Sequence, residues 1–418
     1  MVEKISNKLG IPTGLFYGYV GLVFFMLGAG IETSWFSAYL ASAGYKVQLI
    51  SMVFSLYGLF VAVFSWLTSF LSTLFSIRRV MLTGLIVYCL STGLLISALI
   101  FEFFPLIAGA YMLRGAAYPL FAYAFLMLIT LKTELKSLGK ATSWFWFSFN
   151  LGMTILSPLI ASSLLQVATP ITILLLGIVI VLVGGSIALK TNDDSQPPAV
   201  GKKSLPSQIA EGITILFECP RLALGLLVKA INNIGQFGFV IMMPIFLIQY
   251  GYTLTQWGSI WALTYVVNSI AGLAFGWIGD RYGWRKTVCY FSGTITALSC
   301  LLIGAAIFYF PGNTFLLALS FIGFSIGIAA FGPLSALIPA MVPDKKATAL
   351  SVLNLGSGLS NFFGPVLITI LFQKFGGFVV LGVFAGLYLL ASGLAVFLKT
   401  PAELGGENSK QMRDASVL

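Results

Sequence analysis

The sequence has no histidine, and only 9% of its 418 residues are charged. The absence of histidine excludes histidine-dependent catalytic triads and zinc sites with histidine ligands. The cysteines number four (Cys89, Cys219, Cys289 and Cys300) and have no CxxC spacing, so we expect buried, chemically silent thiols. A Walker-type phosphate-binding motif and a sizeable soluble region are also lacking. These absences argue against an enzyme or a sensor, and we expect no cofactor.

Apolar residues dominate instead, at 58% of the chain with a mean hydropathy of +0.99. Runs of about 20 apolar residues recur along the chain, which is typical of a protein with many membrane-spanning helices. We therefore predict an all-α polytopic membrane protein in a lipid bilayer. The predicted spans are 16–40, 47–71, 79–101, 105–131, 142–166, 169–189, 222–249, 253–278, 286–309, 314–340, 346–373 and 377–398.

The net charge of +10 raises the question of nucleic-acid binding, but the positions of the basic residues exclude it. Nineteen of the 23 basic residues fall in breaks that alternate to one side of the predicted spans. Only Lys46 and Lys374 fall on the opposite side, and Arg114 and Lys229 lie within spans. This positive-inside bias predicts that both termini are cytoplasmic. We expect the chain to lie in the cytoplasmic (inner) membrane and to be a monomer.

One long polar break, at 190–221, divides the twelve spans into two sets of six. It contains Pro197, Pro198 and Pro206 and is interpreted as a cytoplasmic linker. Two short motifs, a paired basic loop and a Lys-Ala-Thr…Asn-Leu-Gly pattern, recur at matching places in both sets. We therefore predict a cytoplasmic N-terminus at 1–15, six-helix bundles at 16–189 and 222–398 related by pseudo-symmetry, and a cytoplasmic tail at 399–418.

Three charged residues lie inside the predicted spans, away from their ends: Glu32, Arg114 and Lys229. A charged group at membrane depth costs roughly 2.5 kcal/mol or more, so such groups usually face the protein interior, find a partner and mark a transport path. The pattern favours a transporter in which Glu32 and Arg114 are partners.

Amides and aromatic rings accompany these ions at helical spacing and are candidate substrate ligands. Neutral polyols need hydrogen bonds to several hydroxyls and aromatic faces against their C–H edges. With Lys229, the candidate substrate-binding residues are Asn232, Gln236, Trp261, Tyr265, Asn354, Asn361, Asn150, Trp35 and Tyr118. Intramembrane amides also serve as links between helices. Trp257 is interpreted as an anchor at the membrane interface.

The stretch Gly276-Trp-Ile-Gly-Asp-Arg-Tyr-Gly-Trp-Arg-Lys286 resembles the G-x-x-x-D-R-x-G-x-R-K loop of major facilitator transporters. The segments 114–125, 143–152, 231–244 and 351–365 are similar to the polyol permeases that import ribitol and arabinitol. The resemblance implies the major facilitator fold, import of a pentitol by alternating access, and a cytoplasmic gate formed by Asp280, Arg281 and Arg285. The equivalent first loop, 69–79, lacks the aspartate and glycine, so no gate role is assigned to it.

Glu32 is the candidate for proton coupling, together with Arg114. Burial disfavours the charged carboxylate while a nearby guanidinium favours it, so the two effects could hold Glu32 ready to gain and lose a proton. The alternative is a permanent structural ion pair. The competing substrate class is an organic acid such as 2-oxoglutarate, bound through Arg114 and Lys229, and a drug-efflux carrier is a third possibility.

Overall fold

The computed structural model describes residues 14–133, 138–190, 205–342, 345–401 and 403. Most of these residues are helical, with no β-strand among them, which confirms the predicted all-α class. Much of the predicted N-terminal segment, linker and tail lies outside the described residues, namely 1–13, 191–204, 402 and 404–418. The proposed domain boundaries therefore stay a prediction.

The described residues up to 248 form twelve helices and two π-helical turns. They are α1 (Phe16–Ala29), α2 (Phe36–Ser42), α3 (Val47–Leu74), α4 (Ile77–Ile100), α5 (Phe104–Arg114), a π turn (Pro119–Tyr123), α6 (Ala124–Lys132), α7 (Leu138–Asn150), a π turn (Leu151–Leu156), α8 (Ser157–Leu164), α9 (Pro170–Lys190), α10 (Leu205–Glu218), α11 (Pro220–Asn232) and α12 (Ile234–Ile248).

Seven further helices follow, with one more π turn. They are α13 (Leu254–Tyr282), α14 (Trp284–Thr287), a π turn (Val288–Ser292), α15 (Gly293–Tyr309), α16 (Thr314–Ala329), α17 (Leu334–Ala340), α18 (Lys346–Phe375) and α19 (Gly377–Ala395).

Eleven helical segments of the described chain are long and apolar enough to cross a membrane, so the protein is a multi-pass membrane protein. They match the second to twelfth predicted spans. The first predicted span is split instead, because the backbone makes turns between α1 and α2, and α1 alone has 14 residues. This break follows Gly28 and Gly30, and glycine weakens a helix interior.

Several other spans are also interrupted near their middles. Turns or π-helical backbone separate α5 from α6, α7 from α8, and α16 from α17, while Asn233 separates α11 from α12. Such interruptions free backbone groups from the regular helical ladder and are tolerated in membranes only where protein or a cavity surrounds them. Because these interruptions all fall near the middles of their spans, they indicate a binding site at the centre of the molecule.

Glycines allow α1 and α9 to pack backbone to backbone. A Cβ atom placed on Gly21 would lie 2.6 Å from the carbonyl oxygen of Gly184, and one on Gly28 would lie 2.6 Å from that of Gly177. Small residues spaced along both helices produce this close approach, as is common in membrane helix pairs. It fixes the end of α1, and with it the segment that carries Glu32.

The tight crossing of α3 and α18 joins the first half of the chain to the second. A Cβ on Gly58 would lie 1.9 Å from the carbonyl oxygen of Asn361, and one on Gly358 would lie 2.5 Å from the Cα of Ala62. No side chain fits at either glycine without separating the helices. The crossing holds Asn361 at the centre of the molecule.

Candidate functional site

Glu32 and Arg114 form a buried ion pair between two broken spans. Arg114 Nη2 lies 2.6 Å from Glu32 Oε2, and the two side chains are 2% and 0% exposed. The predicted pairing is therefore present in the structure, and neither group faces lipid. Two charges removed from water in this way are stable only as partners.

Local backbone geometry places both members of the pair. Glu32 lies in the turn between α1 and α2, where its carbonyl accepts the amide of Phe36 at 2.9 Å and begins α2. Arg114 is the last residue of α5, and the following Gly115 permits close approach to α3, since a Cβ there would lie 2.4 Å from the Tyr57 carbonyl oxygen. The two helix breaks thus bring the ions together.

Tyr88 of α4 completes the ion cluster. Its hydroxyl accepts a hydrogen bond from Arg114 Nη2 at 2.9 Å and donates one to the carbonyl of Gly28 at 2.6 Å. The guanidinium carbon also lies 4.7 Å from the centre of the Tyr88 ring, within cation–π range. Three spans, those containing α1, α4 and α5, therefore meet around the ion pair.

A central cavity lies beside this cluster, with an empty volume of about 570 Å³ including its open part. Its walls come equally from both halves of the chain. The lining residues are Thr33, Phe54, Tyr57, Tyr111, Met153, Thr154, Gln236, Phe237, Val240, Trp261, Asn361 and Pro365. Thr33 directly follows Glu32, and Tyr111 lies one turn before Arg114, so the ion pair sits directly behind the cavity wall.

The lining is uncharged and offers both hydrogen-bond acceptors and donors, the donors including the Gln236 amide and the Trp261 indole. Thr33 donates its hydroxyl proton to the Gly30 carbonyl at 2.7 Å, and Thr154 donates its own to the Asn150 carbonyl at 2.8 Å. Both hydroxyls therefore offer only lone pairs to a ligand. The Asn361 amide nitrogen donates to Ser357, while its Oδ1 is buried and has no partner in the described structure. A ligand that donates hydrogen bonds would satisfy these atoms.

Three of the predicted substrate-binding residues line the cavity: Gln236, Trp261 and Asn361. Tyr265 stacks edge-on against Trp261 at 5.1 Å, and its hydroxyl is buried without a partner in the described chain. Tyr118 is buried beside Asn361, with its ring against Phe149. These two tyrosines lie immediately behind the lining.

The other predicted ligands lie away from the cavity wall. Lys229 Nζ donates to Asn232 Oδ1 at 3.1 Å, about two turns from Gln236, and has no acidic partner among the described residues. Asn354 is buried about two turns from Asn361 on α18. The Trp35 indole donates to the Ile31 carbonyl at 2.8 Å and stabilises the break after α1. Asn150 is half-buried at the end of α7.

The interpretation of Trp257 as an interfacial anchor is wrong. Its ring is 2% exposed and packs against Trp261 at 5.0 Å and Phe321 at 5.5 Å. Packing of α13 against α16 buries this face of the helix, which its position near a predicted membrane boundary did not indicate.

The model of the Major Facilitator Superfamily matches residues 18–343 and 269–418. The chain belongs to this superfamily. The all-helical fold and the transporter interpretation are thereby confirmed, and the superfamily contains transporters rather than enzymes.

Three bacterial relatives cover nearly the whole facilitator chain. An alpha-ketoglutarate permease of Bacillus subtilis (strain 168) is 37% identical, over 94% of this chain and 91% of the relative. A D-arabinitol transporter and a ribitol transporter of Klebsiella pneumoniae are 31% and 30% identical, each over 95% of both chains. The resemblance to polyol permeases is therefore confirmed.

A solved structure shows the same fold at low sequence identity. The crystal structure of a D-xylose-proton symporter is similar with a TM-score of 0.72 and 14% identity, over 91% of this chain and 96% of that one. This likeness concerns the arrangement of the helices.

The facilitator loop after α13 contacts the segment that follows α19. Trp284 donates its indole proton to Asp280 at 2.7 Å, and Arg285 pairs with Glu403 at 3.1 Å while also donating to the Val396 carbonyl. Arg281 is exposed and lies over the Trp277 ring at 5.3 Å. Of the three predicted gate residues, Asp280 and Arg285 line one surface pocket, whereas Arg281 lies against Trp277.

Sequence reasoning missed most of the lining from the first half of the chain, and it also missed Tyr88. Tyr57 and Tyr88 are single tyrosines within apolar helices, a pattern that occurs equally in lipid-facing positions. Thr33 and Thr154 could have been found from the sequence. Thr33 directly follows Glu32, and Thr154 lies four residues after Asn150, and both of those residues were already candidates. Their exposure to a cavity depends on the helix breaks.

Proposed function

We propose that this facilitator chain imports a neutral sugar alcohol, a pentitol such as ribitol or D-arabinitol, by proton symport with alternating access. The observation that carries the proposal is the uncharged cavity, whose lining both accepts and donates hydrogen bonds, as polyol hydroxyls also do. Each hydroxyl of a polyol can donate a hydrogen bond to the lone pairs of Thr33, Thr154 and Asn361. The rings of Trp261 and Tyr57 supply surfaces for the C–H edges.

A dicarboxylate fits this lining less well. Its carboxylate oxygens only accept hydrogen bonds, so they could use the donors of Gln236 and Trp261 but would leave the acceptors of Thr33, Thr154 and Asn361 Oδ1 unsatisfied. Arg114, the cation nearest to the cavity, is already paired with Glu32. The likeness to D-arabinitol and ribitol transporters supports the same substrate class.

Import of 2-oxoglutarate is the second candidate, and two observations favour it. One is the relative that is an alpha-ketoglutarate permease. The other is Lys229, an intramembrane cation with no acidic partner in the described part of the chain. In this alternative the substrate carboxylate would pair with Lys229.

Proton coupling rests on the position of Glu32. Its carboxylate is fully buried, lies directly behind the cavity wall at Thr33, and has one oxygen, Oε1, without a hydrogen-bond partner in the described structure. That oxygen can hold a proton while Oε2 stays bonded to Arg114. Because Glu32 lies directly behind the wall that contacts the polyol, protonation of Glu32 would then be linked to polyol binding in the cavity.

The membrane arrangement belongs to the same proposal. The distribution of basic residues supports the cytoplasmic membrane, with both termini and the linker on the cytoplasmic side. Asp280, Arg281 and Arg285 would then act at the cytoplasmic gate, and two six-helix bundles at 16–189 and 222–398 would move against each other.

The test measures uptake of labelled ribitol by purified protein in liposomes with an imposed pH gradient. We expect accumulation that is inhibited by excess unlabelled ribitol or D-arabinitol, unchanged by 2-oxoglutarate, and independent of sodium. Uptake of labelled 2-oxoglutarate that pentitols do not inhibit, and that Lys229→Gln abolishes, would establish the second candidate instead. Glu32→Gln should abolish accumulation and its pH dependence while ribitol counterflow persists.

A further inference from the structure

A single hydrogen bond joins Glu32 to Arg114 in the ion pair. Nη2 of Arg114 contacts Glu32 Oε2 at 2.6 Å, the Tyr88 hydroxyl at 2.9 Å and the Ala29 carbonyl at 3.5 Å. Nη1 of Arg114 and Oε1 of Glu32 are both buried and without partners in the described structure. Arginine and carboxylate commonly pair through two parallel hydrogen bonds, so the single contact requires a cause.

The position of Tyr88 explains why Arg114 and Glu32 share one hydrogen bond and not two. Its hydroxyl draws Nη2 away from a two-point pairing, and its ring lies beneath the guanidinium at 4.7 Å. The hydroxyl itself is fixed by the Gly28 carbonyl at 2.6 Å. Gly177 of α9 packs against it closely, since a Cβ there would lie 3.2 Å from the Tyr88 oxygen. Tyr88 is 1% exposed, so it is held on all sides.

We propose that Tyr88 is a positioning residue that turns the Arg114 guanidinium so that one nitrogen contacts Glu32, which leaves Glu32 Oε1 free to receive the transported proton. This inference rests on the proposed proton coupling at Glu32. Tyr88 is not among the residues that line the cavity, and it acts through Arg114.

Other titratable groups surround Glu32 but none replaces Tyr88. Tyr57 of α3 and Tyr111 of α5 lie close enough to interact electrostatically with Glu32, as do Arg114 and Tyr88. No second carboxyl group is paired with Arg114 in the described residues. Of these tyrosines, Tyr88 is the one whose hydroxyl bonds the guanidinium.

Removal of the Tyr88 hydroxyl should let the guanidinium rotate into a two-point pairing. The second charge-assisted hydrogen bond favours the charged carboxylate, so a more acidic solution is needed to load the proton. We expect Tyr88→Phe to move the pH of half-maximal ribitol uptake about one unit toward acid. The phenylalanine ring retains the stacking, and ribitol counterflow should be close to that of the wild type.

Tyr19→Phe is the matched control, because the Tyr19 hydroxyl donates to a backbone carbonyl, that of Ala141 at 3.1 Å, remote from the ion pair. Its pH profile should match the wild type. Tyr88→Met, which also lacks the hydroxyl, should shift the profile in the same direction as Tyr88→Phe and serves if that variant does not assemble.

The outcomes separate this inference from the proposed function. If Glu32→Gln abolishes the pH dependence but Tyr88→Phe leaves the profile unchanged or moves it toward alkali, the positioning role is refuted and proton coupling stands. If Glu32→Gln retains the wild-type pH dependence, proton coupling at Glu32 itself is refuted. A shift toward acid in Tyr88→Phe that disappears in the Glu32→Gln background supports both.

Discussion

Separating the buried ion pair by mutation gives the most direct test of its energetic role. In Arg114→Met, the Glu32 carboxylate keeps 0% exposure and loses its one charged partner. Breaking a buried pair from one side costs about 3–5 kcal/mol, whereas replacing both members with neutral groups of similar size costs little. We therefore expect Arg114→Met to be strongly destabilised and the double variant to recover most of the loss. Glu32→Gln should be less destabilised than Arg114→Met, because a glutamine oxygen and the Tyr88 hydroxyl can still accept hydrogen bonds from the guanidinium.

The assay is the thermal stability of the detergent-purified protein, measured as the fraction of protein that remains monodisperse after heating. Arg79→Met is the control, because Arg79 is an exposed cation on α4 and its loss should change stability by about 0.5 kcal/mol or less. A double variant as unstable as Arg114→Met would refute the reasoning, since it would show that packing of the side chains, and not the unpaired charge, determines the loss.

The remaining predictions concern the cavity, the helix crossing and the loop after α13. Gly58→Ala should abolish uptake, because its Cβ would lie 1.9 Å from the Asn361 carbonyl oxygen, whereas Gly93→Ala, which faces open space, should be silent in the same uptake assay. Asn361→Leu should raise the KM for ribitol about tenfold, since a lost hydrogen bond costs on the order of 1.4 kcal/mol; an unchanged KM would remove Asn361 from the site. Arg285→Met and Glu403→Gln should each lower stability by about 1 kcal/mol or less and be non-additive in thermal melts, because the pair is partly exposed.

The two halves of the chain contribute different chemistry to the cavity. The first half supplies the ion pair, two threonine hydroxyls and an aromatic wall that includes Tyr57 and Tyr111. The second half supplies the amides of Gln236 and Asn361 and the Trp261 ring. Because both walls touch the same space, relative movement of the halves would alter substrate contacts and the surroundings of the ion pair together.

Helix interruptions explain how a strongly hydrophobic chain can place an ion pair and polar side chains at one central site. Glu32 lies in the break after α1, Arg114 at the end of α5, and Thr154 in the π turn after α7. In an unbroken helix these side chains would have to share faces set by the 3.6-residue period. The breaks release them from that period and direct them toward one centre.

Composition and apolar run length determined the class, the approximate spans and the three intramembrane ions, because the bilayer imposes a length and a charge cost on each segment independently of its neighbours. The loop motif between Gly276 and Lys286 likewise indicated the superfamily. What only the tertiary structure decided was which polar residues meet. Gln236, Trp261 and Asn361 reach the cavity while Lys229, Asn232 and Asn354 do not, although all six have similar spacing along their helices. That outcome depends on helix breaks and on backbone contacts such as Gly58 with Asn361, which join residues some 300 positions apart and leave no local pattern in the chain.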